Sequence, residues 1–208
     1  MRIRPVTPAR LVDELAGRID STTTGGWVRV GFDGAPSAAP GAVADAMVDP
    51  LRVLGRQAVR VDLGDFMRPA SVRLELGRDN PDSYYERWFD LAALSREVLG
   101  PLAPGGSGRI VTTFWNPETD RSSRPSYVDV STGGVLLLSG PLLQGAGLDL
   151  DLVVHCAQSP AALARRTGDE LRWTLPAFDR YRDEVDPESL AEVVVRMDDP
   201  RHPALVEE

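Results

Sequence analysis

Val28-Arg-Val-Gly-Phe-Asp-Gly-Ala-Pro-Ser-Ala-Ala-Pro-Gly41 decides the fold. Val28, Val30 and Phe32 alternate like a buried strand. Gly31, Asp33 and Gly34 break the run. A helical stretch follows, from Pro40 to about Leu54. Outward from this unit the same alternation of strand and helix repeats. Gln57–Leu63 predicts a second strand through Ala58, Val59 and Val61. Val135–Leu138 is wholly apolar and ends in Ser139-Gly140, which suits a central parallel strand. Leu152–Cys156 is another such run, and Ala191–Met197 reads as a late strand. Thr7-Pro8 caps a helix over Pro8–Arg18, with Leu11, Leu15 and Ile19 on one face. Asp90 caps a helix from Leu91 to about Leu99, and Ser159-Pro160 starts another. Pro176 interrupts or ends that one, and Phe178–Asp186 resumes as helix. Ile110–Trp115 and Tyr127–Val130 predict a strand pair. Strands alternating with helices predict an α/β fold of three layers around a mostly parallel sheet. One domain is expected over 1–208, with 1–24 as an N-terminal helix and its connection.

Composition bounds the function. The chain has 208 residues and a net charge of -8, which argues against nucleic acid as a partner. All 23 basic residues are arginine. One cysteine excludes an intrachain disulfide and a cysteine-based zinc site, and Cys156 reads as a buried structural thiol. His155 sits in an apolar strand as a satisfied core residue, and His202 reads as solvated. Two histidines so placed offer no triad and no metal cluster. With no leader-like start and no apolar run of about 18 residues, the sequence is read as cytoplasmic, without a membrane partner.

Strand, glycine-bearing turn and helix together form the setting of a phosphate-binding loop, G-x-x-x-x-G-K-[ST]. Laid on Gly34, the pattern puts Ala39 at the second glycine, Pro40 at the lysine and Gly41 at the hydroxyl. Gly34, Ala35, Ser37, Ala39, Pro40 and Gly41 are thus the remnant of such a loop. Pro36 and Pro40 remove two N–H donors from an anion nest. With no lysine in the chain, none can be supplied from elsewhere. The plainer reading is a tight turn with Pro40 as first helical residue, at a helix N-terminus that attracts anions weakly.

From Asp65-Phe-Met-Arg-Pro69 onward the chain resembles the uridine kinase and phosphoribulokinase branch of P-loop kinases, closest to the uridine kinase-like proteins of high-GC bacteria. Gly31–Gly34, Arg78-Asp79, Phe89-Asp90, Pro101-Leu102, Val135–Gly140, Arg165 with Asp169, and Val193–Pro200 carry the likeness in order. It covers roughly residues 25 to 205 and implies the P-loop kinase fold. It also implies which chemistry has thinned. The loop lysine and the magnesium-binding hydroxyl of the family are Pro40 and Gly41 here. The D-[DS]-F-[YH] motif opens on its catalytic aspartate, where Gly64 stands. Asp65 follows one residue later, and on an extended chain it would point to the other side. Met67 replaces the Tyr/His. Ser139 stands where an acidic residue usually helps to hold the metal. The lid motif R-x-x-R-D becomes Arg165-x-x-Gly168-Asp169, with Arg166 or Arg172 as substitutes.

The acceptor side is better kept. Asp90 matches a residue that in the family hydrogen-bonds ribose hydroxyls. Arg68, Arg78, Tyr84, Tyr85, Trp88 and Phe89 match the acceptor region. Plainer readings stand beside these: Asp90 as a helix cap, the aromatics as core, and Arg165, Arg166 and Arg172 as a solvated helix face. Two functions remain. One is a pseudokinase that binds a nucleoside, nucleotide or sugar phosphate, or a protein partner, with a homo-oligomer left open. The other is an active ATP- and Mg²⁺-dependent nucleoside or small-molecule kinase, with Asp65 as base or Asp62 or Asp65 on the metal. A ligand is expected outside the carboxyl ends of the strands, lined by Asp65, Arg68, Arg78, Tyr85 and Asp90.

Overall fold

The structure is a computed structural model and describes residues 2–22, 25–123 and 126–207. In chain order, β1 (Arg2–Pro5) leads to α1 (Pro8–Ser21) and β2 (Val28–Asp33). Next come α2 (Pro40–Ala46), α3 (Val48–Val53) and β3 (Ala58–Asp62). Three short helices follow: α4 (Ala70–Arg73), α5 (Pro81–Arg87) and α6 (Leu91–Leu94). Four small strands are β4 (Arg109–Val111), β5 (Trp115–Asn116), β6 (Arg121–Ser122) and β7 (Tyr127–Asp129). The chain continues with β8 (Val135–Gly140), β9 (Leu152–Ala157), α7 (Pro160–Arg166) and α8 (Leu175–Val185). It closes with α9 (Pro187–Leu190), β10 (Val193–Arg196) and β11 (Ala204–Glu207).

The main sheet has seven strands in the order β1-β11-β10-β9-β2-β8-β3. Strands β10, β9, β2, β8 and β3 pair in parallel, and β11 runs against its neighbours. This is the mostly parallel α/β sheet that the sequence predicts. Its five expected strands are all present.

Period-two alternation places the core on both sides of the sheet. Val135 and Leu137 of β8 pack with Val28, Val30, Phe32, Leu15, Ile19 and Met47 on the α1–α2 side. Leu136 and Leu138 pack with Phe66, Leu94 and Phe178 on the α8 side. These four β8 residues are fully buried, and each leucine so placed contributes roughly 1.5–3 kcal/mol.

Local chemistry explains the departures from expectation. The 40–54 helix divides at Met47 into α2 and α3. Pro50 has no N–H for the carbonyl of Ala46, so the ladder loses a rung there. The 91–99 helix keeps α geometry only to Leu94. It then widens over Ser95–Leu99 and tightens over Gly100–Leu102. Pro101 cannot serve Glu97 in the same way. Pro176 sits in the first turn of α8, where it is tolerated. The 110–115 and 127–130 segments do pair, as β4 with β7, in a sheet apart from the main one.

Two strands of the main sheet were not foreseen. β1 and β11 join the chain ends along one edge, Arg2 opposite Glu207 and Pro5 opposite Ala204. Arg4 fixes this edge to the helix layer by bonding Glu14 of α1 at 2.7 Å and Glu207 at 2.5 Å.

Candidate functional site

The turn after β2 closes on itself. Gly34 has φ +153°, and a Cβ there would come within 2.8 Å of the Cys156 carbonyl oxygen. Only glycine fits that approach. Pro36–Ala38 forms a 3₁₀ turn in which Ala38 N–H donates to Ala35 O at 2.8 Å and Ala39 N–H to Pro36 O at 3.0 Å. Ala39 then starts α2 from the left-handed region, φ 55° and ψ 48°. Pro40 is buried at the first position of α2. Ser37 Oγ donates to Gln158 Oε1 at 2.7 Å. Arg166 Nε reaches Ser37 O at 3.4 Å.

Beside the turn, at the carboxyl ends of β3 and β8, an arginine occupies the seam. Arg60 Nη2 donates to Ser139 Oγ at 3.0 Å and to Gly41 O at 3.5 Å. Its Nε holds Asp45 at 2.7 Å. Ser139 Oγ donates in turn to Asp62 Oδ2 at 2.7 Å, and Asp62 Oδ1 accepts from Gly64 N–H at 2.8 Å. Arg60, Gly41, Ser139 and Asp62 therefore form one connected polar unit.

Residues 63–66 are a 3₁₀ turn, not an extended segment. The expected reversal of Asp65 relative to Gly64 rests on extended geometry and does not apply. Asp65 is half-buried close to Asp62. Burial first, and then the Asp62 charge, raise its carboxyl above the usual range.

The segments expected to form the acceptor side meet through backbone. Arg68 N–H donates to Trp88 O at 3.0 Å and Asp90 N–H to Phe66 O at 2.7 Å, with Met67 bridged to Phe89. Asp65, Arg68 and Asp90 thus share one neighbourhood. Asp90 caps α6 by accepting from Ala93 N–H at 2.9 Å. Arg78 lies exposed on the turn before α5. Tyr85 lines a pocket of about 180 Å³ with Phe89, Leu142 and Tyr181. Its hydroxyl bonds Glu184 at 3.3 Å, and Arg180 lies 4.3 Å from its ring centroid. Arg165 is exposed near the end of α7, and Arg172 bonds Asp169 and the Ala164 carbonyl.

The remaining aromatics are core. Tyr84 and Trp88 pack on Trp173 at 5.6 and 5.2 Å between centroids. Tyr84 also meets Phe89 and Phe178. This cluster joins α5 to the Asp169–Thr174 turn and to α8.

Sequence reasoning passed over the most buried polar group. Asp33, at the end of β2, has no exposed surface. It accepts from His155 Nδ1 at 2.7 Å, the Tyr181 hydroxyl at 2.9 Å, Leu143 N–H at 2.9 Å and Gln144 Nε2 at 3.2 Å. His155 is the satisfied core residue expected of it, at Nδ1. Register places Asp33 directly beside His155 on neighbouring strands. Two isolated polar residues at the ends of apolar runs were the available signal. Burial pushes the Cys156 thiol up, which leaves it an inert filler.

A larger cavity, about 630 Å³, lies at the opposite edge among the turns before β2, β3 and β8. It is lined by turn residues such as Gly26, Gln57 and Gly134. Parallel α/β sheets place ligands at the other edge, so we set the candidate site at the carboxyl ends. Among the described residues no cluster of three His, Cys, Asp or Glu side chains is arranged to hold a metal, and no helix is long and apolar enough to cross a membrane.

No protein-family model matches the chain, and no curated protein matches it in sequence. Solved structures do match. A possible uridine kinase from Bacillus stearothermophilus superposes with TM-score 0.72 at 22% identity, over 89% of this chain and 97% of that one. A candidate fructose transport system kinase from Silicibacter sp. TM1040 gives 0.60 at 15% identity, over 86% and 96%. The YGR205w protein gives 0.53 at 11% identity, over 97% and 100%. The likeness is one of fold: the chain has the P-loop kinase fold.

Proposed function

We propose that this protein keeps the P-loop kinase fold as a pseudokinase. In this reading it no longer transfers phosphate from Mg-ATP. It holds a nucleoside-, nucleotide- or sugar-phosphate-like ligand, or a protein partner, on its acceptor side. The observation that carries the reading is the Arg60 guanidinium, seated on Ser139 Oγ and Gly41 O beside a buried Pro40. Phosphoryl transfer depends on a positioned cation, a metal and a donor-lined loop. Here Pro40 brings neither amine nor N–H, and Gly41 brings no hydroxyl. The Ala38 and Ala39 N–H groups are spent inside the turn, and Ser139 is spent on Asp62. The residues present do not fit Mg-ATP. A ligand on the acceptor side would find Asp65 and Arg68 with no side-chain partner among the described residues, and Asp90 nearby. Carboxylates accept sugar hydroxyls and guanidinium pairs with anions.

The test is calorimetric titration with ATP, with and without Mg²⁺. The expected result is no binding tighter than about millimolar in either case. Low-micromolar binding that requires Mg²⁺ would remove the reading. The second reading, an active kinase with a divergent loop, draws on one observation: Asp65 is half-buried with a raised carboxyl, as a general base requires.

A further inference from the structure

On the α8 side of the sheet a cavity of about 300 Å³ opens between β9, α7, α8 and α9. It borders the turn after β2 at Ala35 and shares Tyr181 with the Tyr85 pocket, whose lining does not include His155 or Phe178. Leu163, Phe178 and Pro187 give it apolar walls, and His155 is its inner polar residue. His155 is only 8% exposed. Its Nδ1 faces Asp33 at 2.7 Å. Asp33 already receives N–H or O–H donors from Tyr181, Gln144 and Leu143. It therefore acts as an acceptor toward the ring as well, which places a proton on Nδ1, and in the neutral imidazole that leaves Nε2 as the acceptor. Nε2 has no partner among the described residues. It is not sealed either, because Ser123 Oγ is the sole fully buried side-chain polar atom without a partner among them. Nε2 opens on the cavity.

The other polar groups there are occupied or acidic. Gln158 bonds Ser37 and Met197, Glu188 grips Arg196 with both oxygens, and Arg182 pairs with Asp179. The exposed Asp186 carboxylate at the mouth has no partner among the described residues. That leaves one inward acceptor, an aromatic wall and a mouth that repels anions.

We propose that this cavity binds a small neutral single-ring molecule, which donates one O–H or N–H to His155 Nε2 and lays its face on Phe178. A volume near 300 Å³ is at the lower end for small-molecule pockets and suits one ring. The polar anchor is pre-oriented by Asp33, so binding does not have to immobilise it.

The chain has two histidines, so imidazole ¹⁵N spectra resolve both, and His202 is a built-in control. The experiment titrates phenol into ¹⁵N-histidine-labelled protein at about pH 8. Benzoate serves as the anionic counterpart. His155 should show the Nδ1–H tautomer. Its Nε2 resonance should shift saturably with phenol, His202 should stay in place, and benzoate should bind at least about tenfold more weakly. Phe178→Leu, close in volume, should weaken phenol while keeping the tautomer; if it does not fold, the wild-type titrations decide. An Nε2–H tautomer, an unmoved His155, equal shifts at both histidines, or equal binding of benzoate would overturn the proposal.

Discussion

The turn after β2, here the loop edge, and the Asp65–Asp90 neighbourhood, which the sequence leads one to expect as an acceptor edge, are filled in different ways. At the loop edge the groups are consumed by backbone and by one arginine. Ala38 and Ala39 N–H groups turn inward, Pro40 is buried, and Arg60 bridges Ser139 to Gly41. At the acceptor edge the backbone is also satisfied, through Arg68 to Trp88 and Asp90 to Phe66. Yet the side chains of Asp65 and Arg68 keep their chemistry unspent. The difference teaches where a ligand could be held. A turn that spends its N–H groups on itself offers few donors, while a side chain without a partner among the described residues stays available.

The largest effect is expected at the end of β2, beside the loop edge. Asp33→Ala strands His155 Nδ1, the Tyr181 hydroxyl, the Gln144 amide and Leu143 N–H in the core. Chemical unfolding should show a loss of about 3–5 kcal/mol. A loss under about 1 kcal/mol would mean that these four donors find other partners.

Next in size is Trp173→Ala, which empties the aromatic cluster between α5 and the 169–174 turn. A cost of about 2–3 kcal/mol is expected, since the residue is only partly buried. Hydrogen exchange should quicken in α5 and α8 and stay unchanged in α2. Equal quickening in α2 would show that the edges unfold as one unit.

Ala39→Gly acts on the loop edge alone. It relieves a left-handed alanine and should stabilise by up to about 1 kcal/mol, the strain relieved less the entropy that glycine adds to the unfolded chain. Destabilisation in a thermal melt would show that Ala39 is not strained.

The smallest effect is a pH dependence on the acceptor edge. The Asp65 carboxyl is raised in the folded protein, so folding favours its protonated form. Its burden on stability is absent at low pH and grows as pH rises past the ordinary carboxylate value of about 3.9. Asp65→Asn should match the wild type at low pH and exceed it increasingly toward neutrality. Parallel stability curves would contradict the raised carboxyl.

Local patterning settled a good deal on its own. Alternation in Val28–Phe32 and the unbroken Val135–Leu138 run specified the parallel strands, because burial on one or both faces writes itself into neighbouring residues. Thr7, Asp90 and Ser159 could be read as helix caps, because a cap bonds within three residues of itself. The aromatic core of Tyr84, Trp88 and Phe89 could be anticipated from composition. The ordered motifs were enough to place the fold among P-loop kinases. Other features could not be read this way. β1 pairs with a strand some two hundred residues away, and neither strand has a pattern strong enough to announce itself. The turn at Asp65 was misread because 3₁₀ and extended backbone share a sequence there. Asp33 meets His155 only through the register of β2 beside β9, and Arg60 reaches Ser139 only because β3 lies beside β8. Periodicity and capping are short-range, so one stretch of chain determined them. Which polar groups end up facing one another across strands depends on how the sheet is ordered, and only the tertiary structure decided that.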